Sequence, residues 1–254
     1  MESISNKIQN SFQGQTSIFF LGQAGFVFKT QTGKLIGLDL YLSDCVERFD
    51  GYKRLIPHLL KPGELVFDYL LVSHHHLDHF DIDALPKMTS NGRTKLICAP
   101  DAFEQAPRVG IDRACCKQID VGEEYVGEGF SVKAVFCDHG SSAPKAVGFI
   151  LSVDGKKIYN AGDTCLRLDK ASEIAEDGPF DVMIAPINGA FGNMNEVEMV
   201  TLCERIGPRL VIPAHYWLFA EHGGNPGLFM SEMRERLPNV PFRVMALGES
   251  FALK

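Results

Sequence analysis

The chain has 254 residues, 45% of them hydrophobic and 22% charged, with a formal net charge of −7. That composition belongs to an ordinary globular protein with enough chain for one full core, and it excludes the disordered, collagen-like and disulfide-scaffold classes. The acidic balance argues against nucleic acid as a bulk partner, because phosphate binding calls for a basic face.

In chain order, the first third reads as β-rich. Residues 16–21, 26–30 and 34–39 are apolar strands separated by Gly22, Gly25 and the turn Thr32-Gly33, a meander feeding one sheet. Asp39 ends the third strand, either as a turn cap or as a carboxylate that orients a ligand histidine. Residues 41–64 lose periodicity and read as a loop or a short excursion, with His58 on the surface. A buried strand at 68–72 follows, and Asp81 reads as the N-cap of a helix. Further on come a strand at 95–99, a helix at 102–108 and a long strand at 130–137. Strands at 147–153 and 156–161 flank the hairpin signal Asp154-Gly155. A helix at 169–175 and a strand at 181–187 precede Asn195, which opens a capping-box helix that stops at Gly207-Pro208. A strand at 209–213, a helix at 227–236 and a strand at 242–245 complete the pattern. Strands precede helices in both halves, which suits an α/β (α+β) two-sheet sandwich with helices outside, one domain over residues 1–254.

Four of the chain's eight histidines fall within six residues, in Ser73-His74-His75-His76-Leu77-Asp78-His79. The pattern H-x-H-x-D-H, delivered by a buried strand, points to metal. His75 alternates away from His74 and His76 in an extended segment and reads as structural or solvent-facing. Three more strand ends run straight into a potential ligand: His139, Asp163 and His215. Sites in sheet proteins gather at such ends, because loops there vary over a rigid base. The seven candidates His74, His76, Asp78, His79, His139, Asp163 and His215 suit two divalent ions sharing a bridging water. Imidazole and carboxylate favour Zn, Mn or Fe over Ca or Mg.

These motifs, in this order, resemble the metallo-β-lactamase superfamily from Gln15 onward. Leu21-Gly22-Gln23-Ala24-Gly25-Phe26, Ala161-Gly162-Asp163-Thr164 and Val211-Ile212-Pro213-Ala214-His215-Tyr216-Trp217 are most similar to its ascorbate-6-phosphate lactonase (UlaG-like) group. The resemblance implies an αββα four-layer sandwich with a metal-bearing cleft, hydrolytic activity and a preference for manganese. In that arrangement His74, His76 and His139 hold one ion, Asp78, His79 and His215 the other, and Asp163 bridges. A hydroxide bridging the metals attacks, and Asp78 orients it and returns a proton to the leaving oxygen.

The expected substrate is a lactone or ester of a small polar metabolite, phosphorylated or not. The alternative is a phosphodiesterase acting on a nucleotide or phospholipid-type substrate with the same metal pair. Asn188, Asn193, Tyr216 and His222 are candidate substrate contacts, weighed against plain loop and cap chemistry. Trp217 and Phe219 suit a core as well as a pocket wall. The seven cysteines lack a C-x-x-C and read as reduced thiols. Met1-Glu2-Ser3-Ile4-Ser5 lacks the basic and apolar regions of a secretion signal, and no apolar run nears the ~20 residues that span a bilayer. The expectation is a cytoplasmic homo-oligomer acting on a small molecule, without nucleic-acid or membrane partners.

Overall fold

Apolar runs broken by glycine fold here into hairpins, and runs separated by helices fold into parallel strands. The computed structural model describes residues 2–11 and 14–253. The chain divides into two compact units, Met1–Ile119 with Ala246–Lys254, and Asp120–Met245. The first carries α1 (Ile4–Asn10), β1 (Thr16–Gly22), β2 (Gly25–Lys29), β3 (Leu35–Leu38), α2 (Cys45–Asp50), β4 (Tyr69–Val72), α3 (Leu85–Thr89), β5 (Lys95–Cys98), α4 (Pro100–Gln105) and β6 (Cys116–Gln118). The second carries β7 (Glu124–Gly127), β8 (Phe130–Phe136), β9 (Val147–Val153), β10 (Lys156–Asn160), α5 (Leu168–Ala175), β11 (Val182–Pro186), α6 (Glu196–Ile206), β12 (Val211–Ala214) and α7 (Pro226–Arg236). The chain then returns to the first unit as β13 (Ser250–Leu253).

In the first unit the strand order is β13-β1-β2-β3-β4-β5-β6. β1 to β3 form the expected antiparallel meander, and β3 to β6 are parallel. Parallel neighbours end at the same edge. With Leu38 paired to Leu71, Asp39 and Ser73 therefore emerge side by side. Both faces of the meander are buried. One meets Ile8, Leu85, Met88 and Ala102 in a single apolar cluster with Phe19 and Val27. On the other, Phe20 lies opposite Phe26, with ring centroids 5.0 Å apart. Buried Lys29 donates to Ile8 O, Gln9 O and Ser11 O at 2.7–3.1 Å, so its ammonium satisfies the open carbonyls at the end of α1.

In the second unit the order is β12-β11-β10-β9-β8-β7. β8 and β10 each pair antiparallel with β9, and β10, β11 and β12 are parallel. β8, β10 and β12 consequently run the same way. Their carboxyl ends, leading to His139, Asp163 and His215, share one edge of the sheet. The turn at Asp154 and Gly155 has φ values of 52° and 76°, as the tight hairpin requires. The capping box forms: Asn195 Oδ1 accepts from Glu198 N, and Glu198 Oε2 accepts from Asn195 N, both at 2.9 Å. Gly207 ends α6 in the left-handed region.

Three expectations are corrected. Residues 41–64 are not all loop, since α2 forms there and stops at left-handed Gly51. Asp81 does not cap a helix directly. Its Oδ1 accepts from Asp83 N and Ala84 N in the turn before α3, and its Oδ2 from Leu42 N, so it ties two loops together. Residues 242–245 make only one bridge, Phe242 to Val211, because Pro238 and Pro241 interrupt the approach. β6 and β7 are short and half-exposed, without the apolar run that reveals a strand. Among the described residues, no helix is long and apolar enough to cross a membrane.

Replacing Asn195 with Ala removes the reciprocal cap and should cost about 1 kcal/mol. Thermal unfolding should show a Tm lower by roughly 2–4 °C for a chain of this size; an unchanged Tm would mean that packing alone sets the start of α6.

Candidate metal centre

In the first unit, β4 releases the chain at Ser73, and a tight loop follows, closed by His79 N and Phe80 N donating to His76 O. Asp39 lies beside it, wholly buried, at a φ of 44°. Ser73 donates twice to this carboxylate, through N to Oδ1 at 2.8 Å and through Oγ to Oδ2 at 2.7 Å. His79 Nδ1 approaches Oδ2 at 3.0 Å. A hydroxyl carries one proton, so Ser73 Oγ, having given it to Asp39, accepts from His74 Nδ1 at 3.0 Å. The network thus fixes both tautomers: His74 and His79 carry their protons on Nδ1 and direct Nε2 lone pairs into the loop.

His74 Nε2 lies 3.0 Å from His76 Nδ1, a gap bridged by a proton or by a cation. His74 and His79 are fully buried, their ring centroids 4.1 Å apart. Gln23, buried at a φ of 54°, donates through Nε2 to Asp78 Oδ2 at 2.8 Å and fixes that carboxylate. Residues 74–76 form bends rather than an extended segment, and His75 Nδ1 meets Asp101 Oδ2 at 2.9 Å. That hydrogen bond holds the His75 pKa above its ordinary value.

In the second unit, Asp163 is the hub. Its Oδ2 accepts from Asn193 Nδ2 at 2.8 Å and lies 3.0 Å from His215 Nε2 and 3.8 Å from His139 Nε2. His139, Asp163 and His215 are all more than nine-tenths buried. The loop around Asp163 is braced to the end of β8, where Asp138 N donates to Thr164 Oγ1 and Cys165 N to Asp138 O, both at 2.9 Å. Gly162, at a φ of 67°, has no room for a side chain, since a Cβ would come 2.9 Å from Val147 O. The Cys137 thiol donates to Asp163 O at 2.9 Å, and burial pushes the Cys165 thiol up.

The four candidate substrate residues have distinct surroundings. Asn193 grips Asp163. Asn188 Nδ2 donates to Ala190 O at 3.3 Å, within its own loop. Tyr216 donates its hydroxyl to Met245 O at 2.8 Å. His222 stacks on His215, with centroids 5.0 Å apart and planes 4° off parallel, between Phe219 and Phe191. Phe219 is buried and Trp217 is exposed. The residue that sequence reading misses is Ser73. Its place directly after the buried strand and before the first ligand is the only signal.

The donor set fits a divalent transition ion. His74 and His79 have defined Nδ1 partners, and the Asp78 and Asp163 carboxylates are held by side-chain amides. Asp39→Asn keeps the size but places an NH2 group or a weaker acceptor against Ser73 and His79. Metal affinity should fall about 10- to 100-fold. Calorimetric titration of metal into the stripped protein reads this directly, and an unchanged affinity would remove Asp39 from the support of the ligands.

Comparison with known proteins agrees with the chemistry. Residues 17–215 match the beta-lactamase superfamily domain. A UPF0173 metal-dependent hydrolase of Carboxydothermus hydrogenoformans is 29% identical over 245 residues, covering 93% of this chain and 99% of that protein. Its counterpart in Polynucleobacter asymbioticus is 30% identical over 222 residues, covering 80% and 75%. Among solved structures, Igni18, a metallo hydrolase from the archaeon Ignicoccus hospitalis, has a TM-score of 0.74 at 22% identity, covering 94% of this chain and 99% of that one. YhfI of Bacillus subtilis, a metallo-beta-lactamase fold protein, has a TM-score of 0.70 at 14% identity, covering 94% and 99%. With its two mixed sheets, its histidine- and aspartate-bearing strand ends and these relatives, the chain belongs to the UPF0173 metal-dependent hydrolase family of the metallo-β-lactamase superfamily.

Proposed function

We propose that His74, His76, Asp78, His79, His139, Asp163 and His215 serve one hydrolytic centre for two divalent ions, zinc or manganese, and that it opens a lactone or ester of a small metabolite. In this reading the whole chain works as one hydrolase domain, in the manner of the ascorbate-6-phosphate lactonase group. The observation that carries it is the pair of prepared donor groups, each rigid before any ligand arrives: the Asp39-Ser73-His74-His79 network and the Asn193-Asp163-His215 group.

Bound divalent ions acidify water from about 15.7 toward 7, so that hydroxide is available at neutral pH. The protein's own groups do the rest. Asp78, held by Gln23, orients the attacking water and takes a proton from it as the water oxygen bonds to the carbonyl carbon. The carbon–oxygen bond to the leaving alkoxide then breaks, and Asp78 returns the proton to that oxygen. A lactone gives a hydroxy acid, with atoms and charge conserved. Water is the nucleophile, so no serine or cysteine is required. Asn193 keeps the Asp163 carboxylate oriented throughout.

The test is a panel of lactones, aryl esters, thioesters and phosphodiesters, run on protein reconstituted with zinc or manganese. Lactones or esters should turn over best, and Asp163→Ala should lose at least about 100-fold in kcat/KM together with bound metal by elemental analysis. Unchanged turnover in that variant would sink the site assignment. Preference for phosphodiesters would move the reading to a phosphodiesterase.

A further inference from the structure

Two large aromatic side chains on the loops that carry Asn193 and His215 stand in the open. Phe191 is 54% exposed and Trp217 58% exposed. Leaving two such rings in water forgoes the burial that normally makes aromatic residues stabilising. Both also sit in the left-handed region, at φ values of 54° and 62°. For a bulky L-residue that conformation is strained, and such strain persists only where the surroundings impose it, commonly at ligand-binding positions.

The surroundings do impose it. Residues 188–195 close on themselves: Gly189 N donates to Met194 O and Asn193 N to Ala190 O, both at 3.0 Å. The same loop sends Asn193 to Asp163. The Phe191 ring lies 5.1 Å from His222, which stacks on His215. Trp217 is two residues beyond His215, and its ring meets Tyr216 edge-on at 5.7 Å. The two loops lie close together. A Cβ at Gly223, where φ is 67°, would come 3.1 Å from Asn188 O, and one at Gly224 would come 3.6 Å from Asn188 Cα. The fold therefore holds the Phe191 ring against His222, the stacking partner of His215, and carries exposed Trp217 two residues beyond His215.

We propose that Phe191 and Trp217 are the specificity-determining contacts for the non-reacting part of the substrate, and that this part is an aryl or medium-length alkyl group. The inference rests on the hydrolase reading above and narrows it. Selection comes from apolar contact on preformed rings rather than from charge. A sugar phosphate would call for arginine or lysine at this position, and these two loops, residues 188–195 and 215–225, contain neither.

Trp217 is the only tryptophan in the chain, so its emission reports on the contact without turnover. Metal-loaded protein titrated with propanoate, hexanoate, octanoate and phenylacetate should show saturable emission changes, with Kd falling roughly 2- to 4-fold per added methylene. Phe191→Ala should flatten that dependence to under roughly 1.5-fold per methylene, while Phe191→Leu retains most of it. Metal content and circular dichroism should match wild type in both variants. Glucose 6-phosphate should leave the emission unmoved. The proposal is overturned if emission ignores chain length, if Phe191→Ala keeps the wild-type dependence, or if the sugar phosphate binds more tightly than octanoate. A silent hydrolase panel beside an intact titration removes the lactone or ester reading and leaves the aromatic contact standing. An active panel with a flat titration removes the contact alone.

Discussion

Everything at the first ligand group depends on one buried carboxylate. Asp39 is 1% exposed, so its charge has almost no water to solvate it. An isolated carboxylate in that position would be strongly disfavoured. Here it is met by Ser73 N, Ser73 Oγ and His79 Nδ1, all within 3.0 Å. Each bond also decides something downstream. The Oγ bond spends the serine's proton and obliges His74 to donate, and the Nδ1 contact fixes the tautomer of His79. A single acidic side chain at the end of β3 thereby sets the electronic state of two imidazoles on the loop after β4. Parallel pairing of those strands is what brings them together.

The second group reaches a similar end by different means. Asp163 is gripped by an amide rather than hydroxyl-bonded, and its loop is held by backbone contacts to the end of β8. Gly162 allows the chain to turn within van der Waals reach of Val147. In both groups the scaffold is strand edge, and the precision comes from short hydrogen bonds behind the ligands. Such preorganisation lets a metal site bind without reordering its own side chains.

Much of this is legible in the sequence, for a physical reason. An apolar run that ends in a histidine or aspartate exposes a contradiction between burial and polarity, and His74, His139, Asp163 and His215 all carry that mark. Asp39 carries it too, although the residue alone does not separate a turn cap from a histidine partner. What stays hidden depends on direction and distance. That β8, β10 and β12 run the same way follows only from their pairing with β9 and β11. That Ser73 relays between His74 and Asp39 follows only from the register of β3 against β4. Tyr216 sends its hydroxyl to Met245 O, 29 residues away, a contact with no local signal. β6, reading Cys116-Lys117-Gln118, has no pattern at all to find.

β13 carries a consequence for how the protein is made. It pairs with β1 from Thr16 opposite Leu253 to Phe19 opposite Ser250. The outer edge of β1, an apolar strand, therefore stays unpaired until β13 has been made. Open edges of that kind recruit other strands. The first unit is discontinuous along the chain, and its sheet is completed by a strand that follows the whole second unit. Chains halted before residue 250 thus expose a ready template for aggregation.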